Sequence, residues 1–156
     1  MSRAAELLLR ARAAGAVIAT AESCTGGLLA GAITEVPGSS DIFDRGFVTY
    51  SNAAKVTMLG VTEAKLAAHG AVSEEVARDM AEGALARAAA TLAVSVTGIA
   101  GPGGSEHKPE GRVCFGLTAA GRSTRTETVD FGALGRGEVR RRSVDHALDL
   151  LLGAVG

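Results

Sequence analysis

AVIATAESCTGGLLAGAITEV, residues 16–36, is the stretch on which the fold turns. Residues 16–21 are an apolar run without polar alternation, the pattern of a strand covered on both faces and therefore interior to its sheet. Glu22 to Gly27 follows as a tight turn, and residues 28–36 read as a helix stopped by Pro37 and Gly38. A buried strand that feeds directly into a helix is the unit from which layered α/β domains are assembled.

The same alternation extends in both directions. Upstream, Ala5, Leu8, Leu9 and the stem of Arg12 recur at helical spacing, with Ser2 as N-cap and Gly15 as stop. Downstream, residues 46–51 (GFVTYS) read as a strand, Asn52 caps a short helix through Leu59, and Thr62 and Ser73 cap two further helices separated at Gly70. Glu74 and Glu75 fall in a first turn, where the helix dipole favours them. Residues 92–97 (LAVSVT) are a second buried strand, and 98–111 (GIAGPGGSEHKPEG) form a loop too long to be a mere connector. Residues 113–118 and 123–131 read as a hairpin whose second strand, polar on both faces, lies at an edge. A final helix over 138–154 turns Val139, Val144, Ala147, Leu148, Leu151 and Leu152 inward. These elements predict a three-layer α/β/α sandwich with a mixed sheet. With no repeat, linker or low-complexity tract, residues 1–156 read as one domain.

Composition narrows the function classes. The 47% apolar content is mostly Ala, Leu and Val, with one Tyr and no Trp, which suits close packing of helices on a sheet. A formal net charge of -1 and the scarcity of aromatics argue against a nucleic-acid partner, which would want a basic face and stacking groups. Residues 1–15 hold only a three-residue apolar run broken by Arg10 and Arg12, so neither a signal peptide nor a membrane span is expected. Cys24 and Cys114 stand alone, with no metal-ligand spacing, and His69, His107 and His146 are isolated. The expectation is a cytoplasmic chain without a bound metal. The Ala-rich helices are compatible with a homo-oligomer.

Four segments can carry chemistry. At the first, a hydroxyl between a buried strand and a helix N-terminus sits beside backbone amides that can stabilise an oxyanion. Ser23 is thus a candidate nucleophile, the amides from Cys24 through Thr25 to Gly26 are candidate oxyanion donors, and Gly26 and Gly27 permit close approach. Ser23 or Thr25 serving only as a helix cap is the plain alternative, and Cys24 is a second, weaker nucleophile candidate. The second segment pairs Tyr50 with Lys55 at one end of the sheet; a desolvated lysine can act as general base for a serine. The third is the loop after strand 92–97, where Thr97, Gly98, Gly101 and Gly103 can wrap a phosphate or ribose, although it is neither a P-loop nor GxGxxG. The fourth is Arg136, Arg140, Arg141 and Arg142 at the start of the last helix, where arginine opposes the dipole unless an anion is nearby.

Taken together, TAESCTGG (20–27), VPGSSDIFDRGFVTYSNAAKVTMLGV (36–61), HGAVSEEVARDMAEGA (69–84) and VTGIAGPGGSEHKPEGRVCFGL (96–117) resemble the C-terminal domain of the competence/damage-inducible protein CinA, a family that also includes stand-alone nicotinamide-nucleotide amidases. The resemblance implies an α/β/α domain with no metal or nucleotide cofactor, and hydrolysis of nicotinamide mononucleotide to nicotinate mononucleotide and ammonia. It implies active-site positions at Ser23, Tyr50 and Lys55, with Ser40, Thr97 and an arginine of the last helix near substrate; as anion donors near strand ends, the loop 98–104 and Arg140 or Arg141 are expected to hold the phosphate. Either Ser23 or Ser40 is then the nucleophile; the strand-to-helix position favours Ser23. Larger family members carry an N-terminal domain for which this sequence has no counterpart, and its functions do not transfer. The rival reading is a nucleotide-binding module without turnover, which would not need Ser23, Tyr50 and Lys55 together.

Overall fold

A computed structural model describes residues 1–105 and 107–156; Glu106, which the sequence reading placed within the glycine-rich loop, lies outside the described residues. The buried run around residue 20 is strand β1 (Ile18–Glu22), buried along its whole length because it has a neighbour on each side. It pairs in parallel with β2 (Phe43–Val48) and with β3 (Leu92–Gly98). Beyond β3 the chain reverses through β4 (Arg112–Ala119) and β5 (Arg125–Asp130), both antiparallel, giving a mixed five-stranded sheet of order β2-β1-β3-β4-β5. Helices α1 (Arg3–Ala14), α2 (Leu28–Thr34) and α6 (Arg136–Val155) cover one face. Helices α3 (Asn52–Leu59), α4 (Glu63–His69) and α5 (Glu74–Ala86) lie on the other. The expected three-layer α/β/α domain is the observed one.

The two faces differ in grain. Ile18, Leu92, Val94, Val96 and Phe115 point towards α1, α2 and α6, where Leu7, Leu29, Ile33, Val139 and Leu151 complete a core of large side chains. Towards α5 the strands present Ala19, Ala21, Ala93, Ser95 and Gly116, so the helix backbone settles close to the sheet. The Ser95 hydroxyl donates to the Ala77 carbonyl at 2.6 Å, satisfying a polar group that would otherwise be stranded in the core.

Local signals explain most boundaries. Ser2, Thr62 and Ser73 accept the amides of Ala5, Lys65 and Val76 as N-caps, and Gly15 closes α1 in the left-handed conformation. Several boundaries differ from expectation by one to three residues, and three of these have a local reason. Strand β2 begins at Phe43 rather than Gly46: it is an edge strand, so Asp44 and Arg45 can lie in it with their side chains outward, bonded to the Ala89 amide and the Arg87 carbonyl. Ser51, not Asn52, caps α3, accepting from Ala54 at 3.0 Å, and Asn52 becomes the first helical residue. Helix α6 starts at Arg136, without a side-chain cap. The doubly polar character of β5 also has its reason. The hydroxyls of Thr126 and Thr128 each donate to Glu74 at 2.8 Å, and they hold that carboxyl below the usual carboxylate range.

No helix among the described residues is long and apolar enough to cross a membrane. At Gly116 an added Cβ would lie 2.5 Å from the Ala77 carbonyl oxygen and 2.7 Å from Ser95 Oγ. Gly116→Ala is therefore expected to destabilise the domain by about 1–3 kcal/mol through overpacking. A thermal unfolding scan checks this; an unchanged midpoint would mean that α5 yields without cost.

Candidate active site

The exits of β1, β2 and β3 meet at one end of the sheet, the end at which parallel α/β sheets hold ligands. They enclose a cavity of about 290 Å³. Its floor is Ser23, Cys24, Lys55 and Thr97, and its rim is Tyr50, Asn52, the loop from Gly98 to Ser105, and Arg136.

The turn that carries Ser23 is shaped by Glu22, whose side chain is fully buried. Its Oε1 accepts from the Thr25 hydroxyl at 2.6 Å and from the amides of Gly27 at 3.2 Å and Leu29 at 2.9 Å, while Oε2 accepts from Ala30 at 3.0 Å. The carboxylate thus does for α2 what an N-cap side chain does elsewhere, from a position before the turn. Gly26 and Gly27, with φ of 57° and 102°, adopt the left-handed conformations that let the chain double back onto it. Of the amides expected to serve an oxyanion, Cys24 to Gly26, that of Gly26 is corrected, because it donates to the Ser23 carbonyl. The amides of Cys24 and Thr25 are the members of the turn left without a backbone or carboxylate acceptor among the described residues.

Ser23, 8% exposed, faces Lys55, 1% exposed. Lys55 Nζ lies 3.0 Å from Ser23 Oγ, 2.8 Å from the Thr49 carbonyl and 3.1 Å from the Tyr50 carbonyl. Thr49 is itself fixed, its amide donating to the Glu22 carbonyl at 2.8 Å. Two carbonyls claim two N–H groups, so the third position of the nitrogen is aimed at the serine. As an ammonium it donates there; as a neutral amine it presents a lone pair to the serine proton. The second state is what a general base requires.

The family model of the CinA C-terminal domain matches residues 1–155. The chain belongs to the CinA C-terminal domain family. It is 53% identical over 141 residues to the nicotinamide-nucleotide amidohydrolase PncC of Escherichia coli K12, covering 90% of this chain and 85% of that one. It is 55% identical over 146 residues to a putative competence-damage inducible protein of Symbiobacterium thermophilum, covering 88% of this chain and 34% of that protein. The chain thus spans about a third of the length of such larger relatives. Among solved structures it superposes on the competence/damage inducible protein CihA of Agrobacterium tumefaciens with a TM-score of 0.91 at 47% identity, over 98% of this chain and 96% of that one. The TM-score with a CinA superfamily protein of E. coli is 0.93 at 37% identity, over 97% and 88% of the two chains.

Within this CinA-family domain the remaining candidates separate. Thr97 lines the cavity with its hydroxyl donated to the Ala71 carbonyl at 2.9 Å, so its oxygen can still accept but its proton is committed. Gly98, Gly101 and Gly103 line the same space; at Gly101, φ 94°, a Cβ would strike the Glu110 carboxylate. That carboxylate and Lys108, which donates to the carbonyls of His69 and Val72, fix the loop against the domain. Tyr50 sits at the rim, but its phenol is 60% exposed and accepts from Arg136 Nη2 at 2.9 Å; only its backbone carbonyl reaches Lys55. Tyr50 thus supports the Ser23–Lys55 pair through its main chain, and its phenol takes no part in the contact between them.

Arg140 and Arg141 are corrected as well. Arg140 points beneath the Ser23 turn, donating to the carbonyls of Cys24 and Thr25 at 3.1 and 3.4 Å, and exposed Arg141 pairs with Glu138. The arginine at the cavity is Arg136, one turn ahead of Arg140 on the same helical face. Ser40 lies in the short 3-10 turn Ser39–Asp41, exposed, at the opposite end of β2. At about 3.3 Å per residue, the strand puts roughly 15–20 Å between Ser40 and the cavity within one chain. The sequence reading missed Glu22 and the cavity position of Asn52. The first was signalled by a carboxylate at the end of a buried strand, which must find donors; the second follows only once Ser51 is known to be the cap.

Burial pushes the Cys24 thiol up to about 11, so at neutral pH it is protonated and a poor nucleophile. Native protein at pH 7.5 is expected to keep its activity after exposure to iodoacetamide, with Cys24 labelled only after unfolding; peptide mapping by mass spectrometry checks both. Rapid labelling of Cys24 with loss of activity would bring it back as the attacking group.

Proposed function

We propose that this domain hydrolyses the carboxamide of nicotinamide mononucleotide to nicotinate mononucleotide and ammonia, with Ser23 as nucleophile and Lys55 as its base. The single observation that carries the mechanism is the 3.0 Å approach of Lys55 Nζ to Ser23 Oγ inside a buried nest of two carbonyls. The substrate class rests on the likeness to PncC over 90% of the chain.

In this reading Ser23 Oγ attacks the carboxamide carbon as its proton passes to Lys55 Nζ. The oxygen that becomes negative is received by the free amides of Cys24 and Thr25. Lys55 then returns the proton to the departing nitrogen, which leaves as ammonia, and an ester to Ser23 remains. Water attacks that ester as Lys55 takes its proton, and Lys55 passes that proton to Ser23 Oγ as the bond to the serine breaks and the acid is released. The mononucleotide phosphate lies at the open end of the cavity against Arg136 and the amides of the glycine loop. Arg136 already reaches the Gly101 carbonyl at 2.7 Å and Tyr50 Oη there, so phosphate would replace these neutral acceptors with a charged one.

Ammonia release from nicotinamide mononucleotide by purified protein tests the activity. Ser23→Ala, and Lys55→Met, which keeps the stem packed, are each expected to lower turnover on the order of a thousandfold or more, and the double variant little further, because the pair acts as a unit. Binding of the nucleotide without ammonia release would favour the binding module. Loss of turnover in Ser40→Ala, with Ser23→Ala only weakening binding, would reverse the two serines.

A separate expectation concerns the phosphate. Arg136→Ala is expected to raise KM for the mononucleotide by about tenfold to a hundredfold, a charged hydrogen bond being worth roughly 1.5–3 kcal/mol, and to leave the weak hydrolysis of free nicotinamide unchanged. Equal effects on both substrates would remove the phosphate role.

A further inference from the structure

Asn52 lines the cavity with Ser23 and Lys55, yet has no part in the steps described above. It is the first residue of α3 and precedes Lys55 by three positions, so the two share one helical face. Side chains of a helix lean towards its N-terminus, and the Lys55 stem accordingly reaches back over the turn that Asn52 begins. The usual occupation of an asparagine at this place, capping the helix, is taken by Ser51. Its side-chain amide makes no hydrogen bond among the described residues.

Its neighbours are committed. The Ser23 hydroxyl lies on Lys55, the Thr97 hydroxyl donates to Ala71, and the Tyr50 hydroxyl is held by Arg136 at the rim. A carboxamide brings one acceptor and two N–H donors. The turn amides can meet the acceptor, and the donors need an oxygen elsewhere in the lining. Thr97 Oγ1 can still accept there, and Asn52 Oδ1 is the acceptor carried, like Lys55, by α3 and bound to nothing else among the described residues.

We propose that Asn52 accepts a hydrogen bond from the NH2 of the scissile carboxamide and so selects amides over esters and turns the carbonyl carbon towards Ser23. The inference rests on the amidase reading. It makes Asn52 a specificity residue: the contact exists for a substrate with N–H groups and has no counterpart in an ester of the same acid. A site built around a substrate N–H discriminates against the analogue that lacks it.

The experiment compares wild type with Asn52→Ala and Asn52→Leu on two substrates, nicotinamide mononucleotide and the methyl ester of nicotinate mononucleotide. Asn52 is exposed and outside the core, and thermal melts of both variants verify folding. Both variants are expected to lose about tenfold or more in kcat/KM on the amide and less than about threefold on the ester. Equal losses on the two substrates, or no loss on the amide, would overturn the proposal. A wild-type protein that releases no ammonia would refute the amidase reading itself, separately from the variants, and this inference would fall with it.

Discussion

The carboxylate of Glu22 is enclosed by four donors, the Thr25 hydroxyl and the amides of Gly27, Leu29 and Ala30. Burying a carboxylate costs several kcal/mol, and the cost is met only where donors are already gathered. Here the gathering is done by the start of α2, a helix of only seven residues whose N-cap position is a glycine with no side chain to contribute. The charge and the helix end need each other: without the carboxylate the amides are orphaned, and without the amides the charge is stranded. Because Glu22 is also the last residue of β1, the arrangement ties the interior strand of the sheet to the first turn of the helix, with Ser23 held between them. The backbone carbonyl of the same residue receives the Thr49 amide, and the Thr49 carbonyl receives Lys55. One residue therefore locates both partners, the serine through its side chain and the lysine through its main chain.

The cavity is graded from dry to wet along its length. At the inner end Lys55, Ser23, Thr97 and Cys24 are nearly free of water; at the outer end Tyr50 and Arg136 are exposed. Electrostatic interactions strengthen as solvent is excluded, so the hydrogen bond between Ser23 and Lys55 lies where the protein dipoles act at close to full strength. At the rim a guanidinium in water can exchange one acceptor for another at little cost. In the proposed reaction, bond-making and recognition are thus separated by depth within a single pocket, and the glycine loop has no side chains at Gly101 and Gly103 to narrow it.

Much of this organisation is written in short-range patterns. The interior strand is legible in residues 16–21 because burial on both faces leaves no polar alternation, and three N-caps are legible because Ser2, Thr62 and Ser73 each precede an amphipathic run. Ser23 and Lys55 were identifiable as a pair, the first from its strand-to-helix position and the second from its place early in α3. What escaped were features decided by rotation and depth. Ser51 and Asn52 are both capping residues by type, and only the direction in which the chain leaves β2 chooses between them. Four arginines crowd the start of α6, and which of them meets the cavity depends on the helix beginning at Arg136, a boundary marked by no capping side chain. Strand β2 was read three residues late because Asp44 and Arg45 break its apolar pattern, as edge strands allow.

The glycine-rich loop is closed at its base like a drawstring. Ile99 donates to the Arg112 carbonyl and Gly111 to the Ile99 carbonyl, extending the β3–β4 ladder past the strands themselves, and further out Ser105 and Lys108 exchange both of their backbone hydrogen bonds. The base of the loop, next to Thr97 and Arg112, is therefore held by ladder hydrogen bonds of its own. Lengthening a loop costs little, about 0.6 kcal/mol per doubling, when its ends are already held together. The tip is consequently the part of the domain in which insertions can accumulate over evolution, reshaping the rim that meets a ligand while the dyad beneath keeps its geometry.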